Sequence, residues 1–204
     1  MYGNGLSRGS DAQLRSSPIA PKLGFRIQAE DPAATTRIRL KVEISTAEIE
    51  AYDTAQALAF RVENPWFAGE ADVATFSREE MLATKLRALL QRNKGRDLFD
   101  LAHALDVFER LNASRVVEFF RRYLQRSELT ISRAEAEQRM FDKLNNPGFI
   151  TDLRPLLAAS AATRLVDEMM KAAFAKVFSR FVVLIPRDPW LRSDEMTERF
   201  GIAV

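Results

Sequence analysis

The chain of 204 residues contains no cysteine, so disulfide frameworks and thiolate metal sites are excluded. Histidine is nearly absent as well. His103 is the only one, which removes multi-histidine metal sites and argues against a histidine-based triad. Long apolar runs are also missing. The longest, "FVVLIP" at Phe181 to Pro186, falls far short of the roughly 20 residues a membrane-spanning helix needs. The N-terminal "MYGNGLSRGSDAQLRSSPIAP" has no apolar segment of signal-peptide type. A strong charge imbalance is lacking too: 30 Lys+Arg against 28 Asp+Glu leave +2, too little for bulk electrostatics to drive nucleic-acid binding. What remains is 47% hydrophobic and 28% charged, ordinary for a globular protein of one sizeable domain or two small ones. A soluble, cytoplasmic protein without a membrane association is expected.

Periodicity divides the chain unevenly. Residues 1–22 are rich in Gly, Ser and Pro without a repeat, and read as a flexible arm. Between 23 and 76 the signal is β. "RIRLKVEIS" alternates Ile38, Leu40, Val42 and Ile44 with polar neighbours, the two-residue period of a strand whose apolar face wants a helix or a second sheet beneath it. "GFRIQAE" and "ADVATF" are weaker strands. From Ser77 to the C-terminus the pattern is helical. "SREE" and "SRAE" are capping boxes that open helices at Ser77 and Ser132, with further helices from about Arg96 and over "SRVVEFFRRYLQ". "NNPG" marks a turn, and "DLRPLL", with Pro155 in the first turn, opens a long helix toward Phe181. "PRDPW" is expected to end the regular structure. The fold class expected is therefore α+β, a small β region followed by a mainly α-helical domain.

Three charged residues sit where apolar ones belong or at their margin. On a helical projection from Met81, Leu82, Leu86 and Leu89 define the buried face, and Lys85 falls between Met81 and Leu89, with Arg92 nearly in line two turns on. Both line the margin of the core. They either snorkel to water or are held toward an anion. On the next helix the apolar face is Leu98, Leu101, Leu105 and Phe108. Asp97 lies roughly 70° from its centre and Asp100 roughly 130°, so Asp97 points inward while Asp100 is solvated or complements the helix dipole. Asp97 could pair with Arg92, Arg96 or Lys85 as a clamp between the two helices. His103 projects to the solvent side. Phe119, Phe120 and Tyr123 have core spacing, Trp66 and Trp190 beside prolines suggest packing anchors, and "RRYLQR" reads as a solvated basic face.

The stretch "EEMLATKLRALLQRNKGRDLFDL" closely resembles the signature of the AbiEii/AbiGii toxin family, nucleotidyltransferase-like proteins of type IV toxin–antitoxin and phage-defence systems. The matching positions are Glu80, Lys85, Ala88, Leu89, Arg92, Arg96, Asp97, Phe99, Asp100 and Leu101; Thr84 departs from it, where many members carry Glu. "IRLKVEIS" resembles the family strand whose acidic residue would be Glu43, and "FITDLRPLL" resembles its C-terminal segment. The resemblance implies a partial nucleotidyltransferase-like sheet, with Mg²⁺ and an NTP as cofactors and RNA, tRNA in particular, as substrate. It also implies a winged-helix antitoxin of AbiEi type as partner. It assigns Lys85, Asp97 and Glu43 to catalysis, Lys85, Arg92 and Arg96 to nucleotide phosphates, and Glu43 to the metal. Such enzymes also use a Gly-Ser turn and an Asp-x-Asp pair that binds the metal. "RGSD" at Arg8 to Asp11 is not followed by such a pair, and the resemblance places the element upstream of Met1, as in a truncated product or a chain whose start codon is incorrectly chosen. Three functions are therefore open: a nucleotidyltransferase toxin, a non-catalytic remnant that binds RNA or an antitoxin, and a structural helical domain closed by a Lys85–Asp97 bridge.

Overall fold

Strict alternation in "RIRLKVEIS" does produce a strand, and it belongs to a small antiparallel sheet. The computed structural model describes residues 13–15, 22–28, 37–43, 50–65, 67–152 and 163–203, in two units, Met1–Ala51 and Tyr52–Val204. In the first unit β1 (Gln13–Arg15), β2 (Lys22–Gln28) and β3 (Arg37–Glu43) pair in the order β1-β2-β3. The register sets Leu23 opposite Val42 and Phe25 opposite Leu40, so apolar positions share a face. On that face Leu23 and Phe25 are half-buried, while Leu40 and Val42 are exposed. The segment read as an arm carries β1, because Leu14 pairs in register with Leu23.

The β region expected over 23–76 is split between the units. β4 (Gln56–Asn64) and β5 (Phe67–Thr75) form a separate hairpin in the second. β5 contains the weak strand "ADVATF", whereas β4 was not anticipated. Its register places Leu58 opposite Val73 and Phe60 opposite Ala71.

Helices carry the rest of this unit: α1 (Arg78–Gln91), α2 (Gly95–Val107), α3 (Ala113–Arg126), α4 (Arg133–Leu144), the short α5 (Pro147–Thr151), α6 (Thr163–Arg180) and α7 (Ser193–Phe200). The chain is thus α+β, with small antiparallel sheets followed by helices. The apolar stripes of α1 and α2 meet those of α3, α4 and α6 in one core, which includes Leu82, Leu86, Leu98, Phe120, Phe141 and Phe174. Phe119, Phe120 and Tyr123 are buried as their spacing requires. Trp190 packs against Phe141 at a centroid distance of 6.2 Å. Regular structure does not stop at "PRDPW". α7 follows, with Asp194 and Glu195 in its first turn, buried Met196, and Gly201 in the left-handed conformation (φ 62°) at its end. No described helix is long and apolar enough to cross a membrane. Trp66, the "RGSD" stretch and the start of the helix at "DLRPLL" lie outside the described residues.

The two capping boxes have different fates. Ser132 and Glu135 form theirs completely. At α1 only half forms: Ser77 Oγ accepts from the Glu80 backbone N–H, but the Glu80 carboxylate goes elsewhere. Fully buried, it accepts from the backbone N–H groups of Tyr52 (2.7 Å) and Asp53 (3.0 Å) and from the Tyr123 hydroxyl (2.7 Å). Asp53 reaches Arg115 at 2.9 Å, and its carboxyl is held below the usual range, first by the Ser77 hydroxyl. The Tyr52 ring meets Tyr123 edge-on at 5.0 Å. Residues 52–53 are thereby latched to α1 and α3, immediately ahead of β4.

Candidate functional site at the helical hairpin

The chain leaves helical geometry between α1 and α2. Arg92 adopts an extended conformation (φ −131°, ψ 163°) while its N–H still reaches the Ala88 carbonyl. Lys94 is extended too, and α2 restarts at buried Gly95. This brings Arg92 back over the first turn of α2. Its Nε donates to Asp97 Oδ2 at 2.7 Å and its Nη2 to Oδ1 at 2.8 Å, a bidentate fork. The Asp97 side chain is 0% exposed and that of Arg92 is 56% exposed. The hydrogen bond to Asp97 is the main reason the guanidinium pKa is raised. Asp97 therefore points inward, as its projection required.

Asp100 stays exposed, as its projection implied, and also takes a partner. Lys85 Nζ donates to its Oδ2 at 2.6 Å, and both side chains stay partly exposed. The antiparallel helices place the residues farther from the turn against each other, so Lys85 meets Asp100 while Arg92 meets Asp97. A Lys85–Asp97 bridge is not formed, since the Arg92 fork engages both Asp97 oxygens. Two ion pairs thus line the hairpin, one anchored in the core and one near the surface.

Arg96 and Lys94 point to a third carboxylate, Asp152. Lys94 Nζ is 3.1 Å from its Oδ1 and Arg96 Nε 3.5 Å from its Oδ2, and the Lys94 hydrogen bond leads in lowering its pKa. From α4, Lys143 Nζ donates to the Arg92 carbonyl (2.9 Å) and to Asn93 Oδ1 (3.3 Å), while Arg139 Nη1 donates to the Leu90 carbonyl (3.3 Å). These cations satisfy carbonyls that the end of α1 leaves without helical partners. Burial lowers the Lys143 pKa, and Arg139 pushes the same way. Beside Lys85 and Asp100 lies a hollow of about 300 Å³ floored by Met81, Leu82, Ala104 and Phe108, with exposed His103 at its side.

The structure joins Lys85, Arg92, Arg96 and Asp97 on one hairpin. Glu43 stands on β3 of the other unit, opposite Lys22. Lys143, Arg139, Asp152 and the Lys85 partner of Asp100 were missed by sequence reasoning. Lys143 was findable: it follows buried Ala136 and Met140 at helical spacing, the same anomaly that singled out Lys85. Asp152 is the acid in "FITDLRPLL", quoted above without a role. Replacing Lys143 by Met, which fills the stem's space but strands the Arg92 carbonyl and Asn93, is expected to cost about 1–3 kcal/mol in urea unfolding. Stability equal to the parent would show that the amine caps nothing that water does not cap as well.

A divalent metal fits the described residues poorly. Among them no three His, Asp or Glu side chains gather as a ligand set, and Asp97, Asp100 and Asp152 each face a cation. Phosphate fits better, because Arg92, Lys94 and Arg96 are exposed and Lys85 partly so.

An α+β protein with a cationic helical hairpin of this kind has the makings of a protein that handles phosphorylated ligands. The family model of the nucleotidyl transferase AbiEii toxin of type IV toxin–antitoxin systems matches residues 4–192, and the chain belongs to that family. It is a nucleotidyltransferase-like toxin, and membership implies an antitoxin partner. No curated protein and no solved structure matches the chain.

Proposed function

We propose that this chain takes part in NTP-dependent nucleotidyl transfer to RNA, with tRNA as the acceptor class, as a cytoplasmic phage-defence toxin restrained by a winged-helix antitoxin of AbiEi type. The observation that carries the reading is the pairing on the hairpin. Asp97 uses two of the five guanidinium donors of Arg92, which fixes the group while more than half of its side chain faces solvent. A guanidinium held in place before the ligand arrives stabilises charge on phosphate without reorganising. Lys85 exchanges Asp100 for a phosphate oxygen, and Arg96 adds a second guanidinium. Asp97 is a positioning residue in this scheme. Glu43 would be the carboxylate toward Mg²⁺ by family resemblance.

Lys85→Ala tests this directly. NTP binding measured by calorimetry should weaken tenfold or more, and radiolabel transfer from NTP to tRNA should be lost. Stability should fall by less than about 1 kcal/mol, since Lys85–Asp100 is a surface pair. Parent-like NTP affinity in this variant removes Lys85 from the site. The second reading, an RNA- or antitoxin-binding protein without chemistry, draws on Asp97, Asp100 and Asp152 each being paired with a cation. Retained tRNA binding with no Mg²⁺-dependent nucleotide binding would favour it.

A further inference from the structure

A second hollow, of about 380 Å³, is lined by residues of α3, the start of α4 and the segment that follows the 3-10 turn Val182–Leu184. Arg121 and Arg187 line it together with Thr130, Ser132 and Glu135. None of these residues belongs to the hairpin cluster. Both arginines are exposed, and among the described residues neither makes an ion pair. That sets them apart from Arg92, Arg96, Arg115, Arg122 and Arg133, each of which faces a carboxylate. The one acid in the lining is already engaged. Glu135 Oε2 accepts from the Ser132 N–H at 2.8 Å and from its hydroxyl at 2.9 Å. Those bonds come first in lowering its pKa, and Arg187 contributes last. Arg187 also sits at φ 87°, a left-handed conformation that a non-glycine residue holds at a cost of about 1–3 kcal/mol. Pro186 before it is tied to α4 through its carbonyl, which accepts from the Arg133 N–H at 3.3 Å.

Two exposed arginines without an ion pair, lining one hollow with Thr130, make a concave surface for a phosphate oxygen set. We propose that this hollow grips a phosphodiester of the acceptor RNA, apart from the nucleotide-handling hairpin. The proposal deepens the RNA-acceptor reading and rests on it. A single exposed pair of arginines holds a free phosphate weakly, whereas a polyanion gains from every contact along its backbone.

The test uses the full chain with fluorescently labelled tRNA, NTP and inorganic phosphate as separate probes. The variants are Arg121→Ala, Arg187→Gly, which removes the guanidinium and relieves the strained φ, and the two combined. The double variant should bind tRNA about tenfold more weakly. The slope of log K against log salt should flatten by about 0.7–0.9, one phosphate contact, with NTP binding unchanged. Parent affinity and slope in the double variant overturn the proposal. So does loss of inorganic phosphate binding with tRNA binding intact, which would make the hollow a small-anion site. If the parent binds NTP but no tRNA, the RNA reading and this proposal fall together while the nucleotide reading stands. If Arg187→Gly unfolds at the parent urea midpoint or above, weakened RNA binding in that variant reports the lost charge and supports the proposal.

Discussion

Arg92→Ala is expected to destabilise the protein by about 3 kcal/mol, more than Asp97→Ala, although Arg92 is the more exposed partner. The asymmetry follows from what each deletion leaves behind. Without Arg92, a carboxyl group with 0% side-chain exposure is left in the core with only the first turn of α2 and the more distant Lys143 to support it. Stranding one partner of a buried pair costs about 3–5 kcal/mol, and the helix terminus returns about 0.3–1 kcal/mol of that. Without Asp97, the Arg92 side chain is already 56% exposed and completes its solvation in water, so a loss of about 1–2 kcal/mol is expected, mostly from the space vacated. The double replacement Arg92→Leu with Asp97→Leu should recover most of the single-variant loss, because apolar groups replace buried pairs at little cost. Urea unfolding of the parent, Arg92→Leu, Asp97→Leu and the double variant gives the coupling energy. The same four separate structure from chemistry: if the pair also handles nucleotide, the double variant regains stability and stays inactive in label transfer. A double variant that regains both would reduce the pair to a clamp, and an Arg92→Ala variant milder than Asp97→Ala would show that the buried carboxylate finds another cation.

How much of this was visible beforehand depends on how local each determinant is. α1 to α4 could be read because periodicity and caps act within one or two turns, and the complete Ser132–Glu135 box shows a local signal working as expected. β4 was hidden because "QALAFRVEN" interleaves alanines with its apolar residues, which a helical pattern tolerates equally well. α7 was hidden by the prolines before it, although its acidic first turn and terminal Gly201 carried the ordinary start and stop signals. At the site, projection onto single helices found that Lys85, Arg92 and Asp97 were out of place. It could not decide which acid meets which cation, because that depends on how α1 and α2 run past each other. The Lys94–Asp152 contact spans 58 residues and left no trace in any local pattern.

Glu80→Ala should be the most damaging single change away from the hairpin, with a loss of about 3–5 kcal/mol. Glu80 began as half of a local cap, and its real partners lie 27 to 43 residues away. Three donors converge on the fully buried carboxylate, two backbone N–H groups and the Tyr123 hydroxyl. Truncation leaves all three without their acceptor, and each stranded donor costs about 1–3 kcal/mol before the chain relaxes. Tyr123→Phe removes one donor and leaves the carboxylate its backbone partners, so about 1 kcal/mol is expected. Relaxation has a cheap route, since residues 52–53 can lift away and rehydrate. The Glu80→Ala variant should therefore show faster proteolysis just ahead of β4 before it shows global unfolding. The tyrosine supplies an independent check. Burial, then the Glu80 hydrogen bond, raise the Tyr123 pKa above its ordinary value. A raised pKa means that the stabilisation is complete below about pH 10, the unfolded value, and is lost as pH climbs toward the folded one. Alkaline titration followed by tyrosinate absorbance should show a late-ionising tyrosine in the parent that moves to lower pH in Glu80→Ala. A variant within about 1 kcal/mol of the parent, with its tyrosine titration unmoved, would mean that the carboxylate does not hold residues 52–53 against α1 and α3 in solution.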